Sequence, residues 1–468
     1  MNQAVLDPGS FRDPGGHVFH HGNRVYRTVN PAVAEDFDKV EASGLIEELV
    51  ARGWCLAATK VDRDLLGSTS DQPTYLLEHP KIELISYPYE WPFRALKAAA
   101  LLHLDIQLLA LQYDVALSDA SAYNIQFQGA KPVFIDRLSF VPYRDGDIWA
   151  GHRQFCEQFL NPLLLRSVLG VPHNAWYRGA QEGITTQDLN RMIPLRRKLS
   201  WQVFAHVLLQ AKFQASAQQA DSKSSAPEAR KVGLPRASLT GMLTKLRQWI
   251  AKLEPRGADK TVWADYATSH SYQTAESEAK ARLIADYAAD VKPHMIWDLG
   301  CNTGDYSKIA LEAGAETAIG FDFDQDALDG AFLRSEAENL NLLPLFLDAA
   351  NPTSGQGWGA SERMGLAERA TADGVLALAF VHHLAITRNI PLRSLVSWIV
   401  GLAPTGVIEF VPKQDAMVQK LLSLRKDIFT DYTEDAFANY LSEVADIVSA
   451  TQVTESGRKL FRFARTGS

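Results

Sequence analysis

The carboxy-terminal part of the chain alternates short apolar runs with amphipathic segments whose apolar residues recur every three or four positions. Apolar runs bounded by turn residues are typical of buried parallel strands, and the segments between them are typical of covering helices. The pattern predicts strands at 294–299, 317–322, 342–347, 374–380 and 405–411. It predicts helices at 275–290, 304–313, 325–339, 391–402, 414–424 and 433–445. This alternation predicts an α/β fold with a doubly wound, Rossmann-like sheet.

Two further strands are predicted at 448–454 and 459–465, on either side of Glu455-Ser456-Gly457-Arg458. Such a hairpin would add one antiparallel strand to the otherwise parallel sheet. Ligands of doubly wound sheets bind outside the carboxyl ends of the strands, where the strand order reverses. The residues at the strand ends are therefore the candidate functional residues.

The amino-terminal part has a less regular pattern, which predicts an α+β domain. A hairpin is predicted within 11–30, because apolar pairs flank the turn signal His21-Gly22-Asn23. The aromatic and proline-rich stretch 86–93 is typical of a rigid connector. The other predicted elements are helices at 35–52, 93–113 and within 147–213, and strands at 54–60, 75–85, 124–127 and 133–135.

The composition changes at residue 214. Residues 214–227 are small and polar with almost no apolar bulk, which indicates a linker or a flexible surface loop. A helix is predicted at 238–253. A chain of 468 residues is too long for one compact core. We therefore predict three parts: a first domain at 1–213, a linker and helix at 214–260, and a second domain at 261–468.

The composition, 46% hydrophobic and 22% charged, is that of an ordinary soluble globular protein. The formal net charge of -8 argues against nucleic acid or an anionic membrane as a partner. Residues 2–20 lack the pattern of a signal peptide, and we expect no apolar run long enough to span a bilayer. Cys55, Cys156 and Cys301 match no metal or disulfide spacing, so we expect a reduced, cytoplasmic protein. The pattern leaves the oligomeric state open.

The strongest chemical signal follows the first strand of the second domain. The strand leads into Gly300-Cys301-Asn302-Thr303-Gly304, and the next strand ends on Asp322. This spacing can build one nucleoside site, with the glycine turn under the ligand and Asp322 reaching a pair of ribose hydroxyls. A bare tight turn, with Asp322 capping the following helix, is the alternative. A dinucleotide site would favour Gly-x-Gly-x-x-Gly, which differs in spacing.

The stretch from Asp298 to Gly304, together with Asp322, resembles the class I S-adenosylmethionine-dependent methyltransferases over about 275–465. The resemblance implies that the backbone at Gly300, Asn302 and Gly304 packs against the methionine and ribose parts of S-adenosyl-L-methionine. It implies that Asp298 anchors the turn or the ligand amino group, and that Asp322 accepts hydrogen bonds from the ribose hydroxyls. The family's usual glycine is replaced by Asn302.

The resemblance also implies roles at the later strand ends. Asp348 follows the third strand, where the family often binds the adenine amine, although Asp-Ala-Ala-Asn-Pro is also a good turn. His382 and His383 end the fourth strand, where one of them could act as a general base or both could simply be packed. Glu409 ends the fifth strand and could orient an acceptor or pair with Lys413.

The segment before the first helix of the second domain is a candidate lid over the cofactor. Tyr266 and Tyr272 are the candidate lid residues, and Tyr272 is the one we assign to cofactor binding. Lys280 or His270 would then lie near the cofactor carboxylate. An amphipathic segment packed on the edge of the sheet is the alternative.

In the first domain, Asp119, Asn124 and Asp136 are spaced as in the catalytic and metal-binding segments of the protein-kinase-like and aminoglycoside-phosphotransferase-like fold. The resemblance to that family covers about 11–215. It implies that Asp119 is a catalytic base and that Asn124 and Asp136 hold magnesium. The sequence departs from the family at Leu117-Ser118 and in its glycine-rich loop, and Lys60 is the only guess for a phosphate lysine. A scaffold domain with buried turn carboxylates is the alternative.

Taken together, the two halves are similar to a group of bacterial nodulation-protein-type (NoeA-like) methyltransferases. The resemblance implies modification of a secreted glycan or a small molecule. The expected function is therefore methyl transfer from S-adenosyl-L-methionine to such an acceptor. The alternatives are a bifunctional protein whose kinase-like domain binds nucleotide and magnesium and phosphorylates a small molecule, or a regulatory protein that only binds S-adenosyl-L-methionine.

Overall fold

The computed structural model describes residues 4–66, 72–194, 198, 234–257, 274–423 and 425–465. The chain divides into two compact units. The amino-terminal unit is formed by residues 1–127, 131–257 and 356–363, and the carboxy-terminal unit by the remaining residues. The predicted linker at 214–227 lies outside the described residues. So do the candidate lid residues Tyr266 and Tyr272, and His270, a candidate for the cofactor carboxylate.

The amino-terminal unit contains a five-stranded sheet with the order β1-β2-β3-β5-β4. Its hairpin β2–β3 turns at Gly22, which has a φ of 59°, and pairs Val18 with Arg27. The predicted hairpin within 11–30 is therefore confirmed. The predicted strands at 54–60 and 75–85 are present but shorter. The five strands are β1 (Val5–Leu6), β2 (Val18–His21), β3 (Arg24–Val29), β4 (Thr59–Val61) and β5 (Tyr75–His79).

The predicted helix 35–52 consists of two helices, α1 (Pro31–Ala42) and α2 (Leu45–Ala51). The break falls at Gly44, whose φ of 81° cannot continue a right-handed helix. Apolar spacing runs through the break because both helices pack on the same core, with Phe37, Val40 and Leu49 buried. Hydrophobic periodicity therefore found the helical segment but missed the break.

The predicted helix 93–113 is present as α3 (Phe93–Ala110). The run Phe93–Tyr113 meets the length and composition of a membrane span, so the expectation that no apolar run is long enough is wrong on length. Within it, 61% of the most apolar 18-residue window is buried inside the protein. The helix has the burial of a core helix, in which apolar residues on every face contact neighbouring elements.

Two short two-stranded sheets follow α3. The pair β7–β8 lies where strands were predicted at 124–127 and 133–135, whereas β6 and β9 were not predicted because three residues are too few to show a pattern. These strands are β6 (Val115–Leu117), β7 (Ile125–Gln128), β8 (Lys131–Phe134) and β9 (Phe140–Pro142). The later helices of this unit are α4 (His152–Phe155), α5 (Asn161–Leu164), α6 (Asn174–Gly179), α7 (Thr186–Met192) and α8 (Arg236–Ala251).

The carboxy-terminal unit is built on a seven-stranded sheet with the order β12-β11-β10-β13-β14-β16-β15. Five strands are parallel, and β16 pairs antiparallel with both β14 and β15. The predicted α/β class and the single antiparallel insertion are confirmed. The strands are β10 (Met295–Leu299), β11 (Thr317–Asp322), β12 (Leu342–Phe346), β13 (Gly374–Ala377), β14 (Thr405–Phe410), β15 (Asp446–Gln452) and β16 (Lys459–Ala464).

The helices of this unit agree with the predicted ones to within three residues at either end. They are α9 (Thr274–Val291), α10 (Asp305–Glu312), α11 (Gln325–Glu338), α12 (Leu392–Leu402), α13 (Ala416–Leu422) and α14 (Glu434–Ser442). The strand order reverses between β10 and β13, because successive strands continue outward from β10 to β12 on one side and from β13 to β14 on the other. Doubly wound sheets bind ligands at this position.

The middle of the sheet tolerates no side chain at Gly406 on β14. A Cβ there would lie 2.5 Å from the Val375 carbonyl oxygen and 2.6 Å from Val375 Cγ1. We expect Gly406→Ala to lower the free energy of unfolding by about 1–3 kcal/mol, because the core is overpacked. Gly401 on α12 has open space around its Cα, so Gly401→Ala should be neutral or stabilising by about 1 kcal/mol. Urea unfolding followed by circular dichroism measures both, and equal stability of the two variants would contradict the packing argument.

Candidate functional site

The turn after β10 is shaped by left-handed backbone. Gly300, Asn302 and Gly304 have φ values of 78°, 50° and 79°. The N–H groups of Gly300 and Cys301 both donate to the carbonyl oxygen of Phe321, at 2.8 and 3.0 Å. Asparagine adopts the left-handed region more readily than most residues. Asn302 can therefore stand where the methyltransferase resemblance has a glycine.

Asp322 ties this turn to the end of β11. Its Oδ2 accepts the N–H of Asn302 at 2.8 Å, and its Oδ1 accepts the N–H of Asp324 at 2.9 Å. Burial raises the pKa of Asp322, against the effect of these two hydrogen bonds. The helix α11 is capped by Asp324, which accepts from Asp326 and Ala327, rather than by Asp322. The alternative assignment of Asp322 as the cap of this helix is therefore wrong.

Asp298 lies beneath the turn and is buried in full. Its Oδ2 accepts a hydrogen bond from the Ser307 hydroxyl on α10 at 2.7 Å. Burial raises the pKa of Asp298 to about 6, while the Ser307 hydrogen bond lowers it. Asp298 therefore holds α10 against the end of β10. Ser307 was not identified from the sequence, because a lone serine on a helix carries no signal of its own.

A cavity of about 750 Å³ opens where the strand order reverses. Asp322, Asp348, His382 and His383 line it, as do Gly300 and Asn302. Its size suits a small molecule or cofactor, since ligand pockets span roughly 300–1,000 Å³. The structure thus brings the predicted strand-end residues into one concave site. Asp298, Gly304 and Glu409 stand behind its wall rather than on its surface. The cavity wall also includes Lys280, Tyr306, Phe323, Leu378, Ala379, Phe380, Arg388 and Arg458.

Asp348 and two neighbouring side chains form one end of the cavity. The Oδ1 atom of Asp348 accepts the N–H of Ala350 at 3.1 Å and lies 3.9 Å from Arg388 Nη2. The Asp348 turn and its contact with the cavity are therefore both present. Phe323 is 55% exposed, and its ring lies 5.6 Å from that of Phe346. An exposed aromatic face beside a carboxylate suits a flat heterocycle with an amine.

The two histidines are adjacent, with ring centroids 4.2 Å apart. Burial lowers the pKa of His383 to about 4 and that of His382 well below its ordinary range. Both imidazoles are therefore neutral near pH 7. In the described part of the chain, neither ring nitrogen of His382 has a hydrogen-bond partner. His383 is the more exposed of the two, so it is the better placed to meet a ligand in the cavity.

Glu409 belongs to a buried charged network. Its Oε2 accepts from Lys280 Nζ at 2.5 Å and from the N–H of Ala379 at 2.7 Å. Its Oε1 lies 3.8 Å from Arg458, whose guanidinium makes a two-point contact with Asp415 at 2.7 and 3.0 Å. Lys413, the partner considered from the sequence, pairs with Asp427 instead. Glu409 is therefore placed to support the cavity wall rather than to touch a ligand.

The cations of this network do reach the cavity. Lys280 on α9 and Arg458 in the β15–β16 turn both line it, and Lys280 lies 4.8 Å from the Tyr306 ring centroid. Burial lowers the pKa of Lys280, against the charge of Glu409. Lys280 was predicted from the sequence, whereas Arg458 and Asp415 were not. These two residues are 43 positions apart, and only the antiparallel β16 brings them together.

The candidate residues of the amino-terminal unit also assemble. Asn124 Nδ2 donates to Asp119 Oδ2 at 3.2 Å and to Ser139 Oγ at 3.1 Å. The Ser139 hydroxyl donates to Asp136 Oδ2 at 2.9 Å. Burial, followed by the charge of Asp136, raises the pKa of Asp119 to about 6. Asp119, Asn124 and Asp136 thus form one cluster, although they come from separate turns.

This cluster does not fit a magnesium ion. Asp136 Oδ1 already accepts from the Leu138 N–H and from Arg27 Nη2, both at 3.0 Å. A cation is therefore already present at the position that a metal would need. Among the described residues, no group of three or more histidine, cysteine, aspartate or glutamate side chains is arranged to hold a metal ion. Lys60, the guess for a phosphate lysine, pairs with Asp38 at 3.8 Å.

Comparison with known proteins places the chain in a family. It is 47% identical to the nodulation protein NoeA of Rhizobium meliloti (strain 1021) over 458 residues, covering 98% of this chain and 96% of that protein. The chain belongs to the NoeA family. No protein-family model matches it. The NoeA relationship extends through both units, so the chain shares its whole organisation with that relative.

Similarity to solved structures is limited to parts of the chain. The N-methyltransferase NodS from Bradyrhizobium japonicum WM9 is 12% identical and covers 41% of this chain and 98% of its own, with a TM-score of 0.31. The magnesium protoporphyrin IX methyltransferase ChlM from Synechocystis PCC 6803, solved with bound SAH, is 16% identical and covers 48% of this chain and 99% of its own, with a TM-score of 0.32. At these scores, neither similarity assigns an activity to this NoeA relative.

The raised pKa of Asp298 makes stability depend on pH. In the unfolded chain the carboxyl ionises near its ordinary pKa of 3.8, whereas in the folded protein it holds its proton up to about 6. The free energy of unfolding should therefore fall as pH rises from about 4 to about 6. Asp298→Asn removes this contribution while keeping an acceptor for Ser307. We expect the variant to gain on the order of 1–3 kcal/mol over wild type between pH 4 and pH 7.

Urea unfolding of both proteins at pH 4 and pH 7 measures that gain. Asp286→Asn, which removes an exposed carboxyl on α9, is the matched control and should show no comparable pH dependence relative to wild type. A constant difference between Asp298→Asn and wild type at both pH values would contradict the assignment.

Proposed function

We propose that this chain is an S-adenosylmethionine-dependent methyltransferase that acts on a small-molecule or glycan acceptor. The observation that carries the proposal is the position of Asp322 against the glycine turn, inside the cavity where strand order reverses. That arrangement provides one nucleoside site with an acidic group at the ribose position. The glycan or small-molecule acceptor is what the resemblance to the NoeA-like group implies.

Asp322 fits two ribose hydroxyls. A carboxylate has about four acceptor sites, and each Asp322 oxygen uses one on a backbone N–H. The remaining acceptor sites are assigned to the ribose hydroxyls. The two N–H groups hold the carboxylate plane in place before a ligand arrives, which reduces the entropy lost on binding. Asp348 and the Phe323 ring are assigned to the adenine, and Gly300 and Asn302 to the ribose and methionine parts. Gly304 lies behind the wall and is assigned to shape the turn.

Another part of the cavity wall is suited to an amino-acid group. Lys280 and Arg458 line it, and their charges are held in place by Glu409 and Asp415. A carboxylate is attracted by these two cations, and Asp298 is assigned to anchor the turn or the ligand amino group. Tyr272, assigned from the resemblance to the lid, lies outside the described residues.

The cofactor, when bound, supplies a methyl group already activated on a sulfonium. The chain must then align the acceptor, exclude water and accept a proton if the acceptor carries one. We assign proton acceptance to His383, with neutral His382 packed behind it. Because burial lowers the pKa of His383 to about 4, the imidazole is unprotonated throughout the neutral range and has a nitrogen lone pair that can accept a proton. Glu409 is assigned to position Ala379 and Lys280, two residues of the cavity wall.

A regulatory protein that only binds the methyl donor would use the same cavity. The histidine pair favours catalysis, because two neutral imidazoles in a donor site serve no evident purpose in binding alone. A dinucleotide is disfavoured by the spacing Gly300-Cys301-Asn302-Thr303-Gly304. The methyltransferase therefore accounts for more of the cavity than either alternative.

The first test is binding of S-adenosylmethionine measured by calorimetry. We expect saturable binding by wild type and at least a tenfold loss in Asp322→Ala, because the ribose loses its two acceptors. Asp286→Asn should bind as wild type, and NAD should not bind measurably. Circular dichroism establishes that the Asp322 variant is folded. Unchanged affinity of a folded Asp322→Ala would refute the ribose assignment.

The second test is transfer of labelled methyl from the donor into fractionated cell extract. Once an acceptor fraction is found, we expect His383→Gln to lower kcat by about 100-fold while donor affinity is retained, because a general base contributes roughly that much. His294→Gln removes an exposed histidine on the same unit and should leave kcat unchanged. Donor binding without transfer to any fraction would favour the regulatory alternative.

A further inference from the structure

The amino-terminal cluster contains a cation supplied by the chain itself. The Arg27 guanidinium on β3 contacts Asp136 at 3.0 Å and also pairs with Asp13. The Arg27 side chain is only 11% exposed, and Asp136 is 17% exposed. Two carboxylates thus converge on one buried guanidinium. The contact joins the five-stranded sheet to the turn after β8, within one unit.

Both acceptor sites of Asp136 Oδ1 are already in use, and so is one site of Oδ2. Oδ1 accepts from Arg27 and from the Leu138 N–H, and Oδ2 accepts from the Ser139 hydroxyl at 2.9 Å. Ser139 in turn accepts from Asn124, so the cluster is closed by internal hydrogen bonds. A magnesium ion needs oxygen ligands near 2.1 Å in octahedral geometry. To bind through Oδ1, it would have to displace Arg27 or the Leu138 N–H.

The charges of the cluster also disfavour a metal ion at Asp136. Arg27 places a positive charge between Asp13 and Asp136, both of which pair with it. A second cation beside Arg27 would repel it in a half-buried site, where such repulsion is poorly screened.

Lys60, the candidate phosphate lysine, is held by two aromatic rings and a carboxylate. Lys60 on β4 lies 4.2 Å from the ring centroid of Tyr75 and 5.1 Å from that of Phe37. It also pairs with Asp38, and its side chain is 46% exposed. Lys60 therefore contacts Phe37, Asp38 and Tyr75, which are not members of the cluster.

We propose that Arg27 is a built-in counter-ion that takes the place of a divalent cation, so that the amino-terminal unit binds no metal at Asp136. A unit without that metal cannot support metal-assisted phosphoryl transfer at this cluster. Its carboxylates then serve to hold the turns around Asp119, Asn124 and Asp136 in one arrangement. This inference is independent of the methyl-transfer proposal, because it concerns only the other unit.

The test is titration of the full-length protein with Mn²⁺, followed by electron paramagnetic resonance. We expect wild type and Asp136→Asn to give the same titration, because no ion binds at Asp136. Arg27→Gln should bind Mn²⁺ at least tenfold more tightly than wild type, since Asp13 and Asp136 lose their cation. The gain should vanish in the double variant with Asp136→Asn. In Arg27→Gln alone, added Mg²⁺ should raise the thermal midpoint.

Two controls separate this role from a general effect of charge. Arg24→Gln removes an exposed arginine of the same strand that pairs with Glu78, and Arg27→Lys keeps the buried charge; neither should gain Mn²⁺. Circular dichroism checks folding. If Arg27→Gln does not fold, the comparison of wild type with Asp136→Asn decides alone. Mn²⁺ binding by wild type that Asp136→Asn abolishes would overturn the proposal, as would a folded Arg27→Gln that gains no binding.

Discussion

The carboxy-terminal site depends on one carboxylate that bridges two turns. Asp322 accepts the N–H of Asn302 from the turn after β10 and that of Asp324 from the turn after β11. These two turns form the floor of the cavity, and their backbones are held at a fixed distance because both donate to the same side chain. The left-handed residues of the first turn let its N–H groups bond within the protein, to Phe321, Asp322 and Cys301. A ligand therefore meets a surface that is already arranged, at the position where the strand order reverses.

Around this floor, buried charges are matched in pairs. Glu409 is paired with Lys280, and Asp415 is paired with Arg458. Removing one partner of such a pair typically costs about 3–5 kcal/mol, because a buried charge is left without compensation. The same principle operates in the amino-terminal unit, where Arg27 compensates Asp136. In the first case the cations reach the cavity and can meet a ligand. In the second case the cation pairs with the carboxylates of the cluster. A buried ion pair therefore presents charge to a ligand in one unit and holds turns together in the other.

Much of the fold could be predicted because the carboxy-terminal strands are short, apolar and regularly spaced. Their periods identified each strand and helix, and the end of each strand identified Asp322, Asp348 and His383 as candidates on one edge. The helix break at Gly44 was missed, because a single glycine between two helices with the same buried face leaves the apolar period intact. The strands β6 and β9 were missed because three residues carry no period. Ser307, Asp415 and Arg458 were missed because their partners are distant in the sequence.

By itself, the sequence determined the α/β class, the order of elements and the edge of the sheet on which the site lies. These follow from local periods and from the rule that parallel strands share their carboxyl ends. Only the tertiary structure decided what each charged residue does. In the folded chain, Glu409 lies behind the cavity wall and Arg458 lies on its surface. Arg27 lies beside Asp136. Those outcomes depend on which distant side chains meet in a buried environment, and burial sets the energy of a charge far more strongly than its neighbours in the chain do.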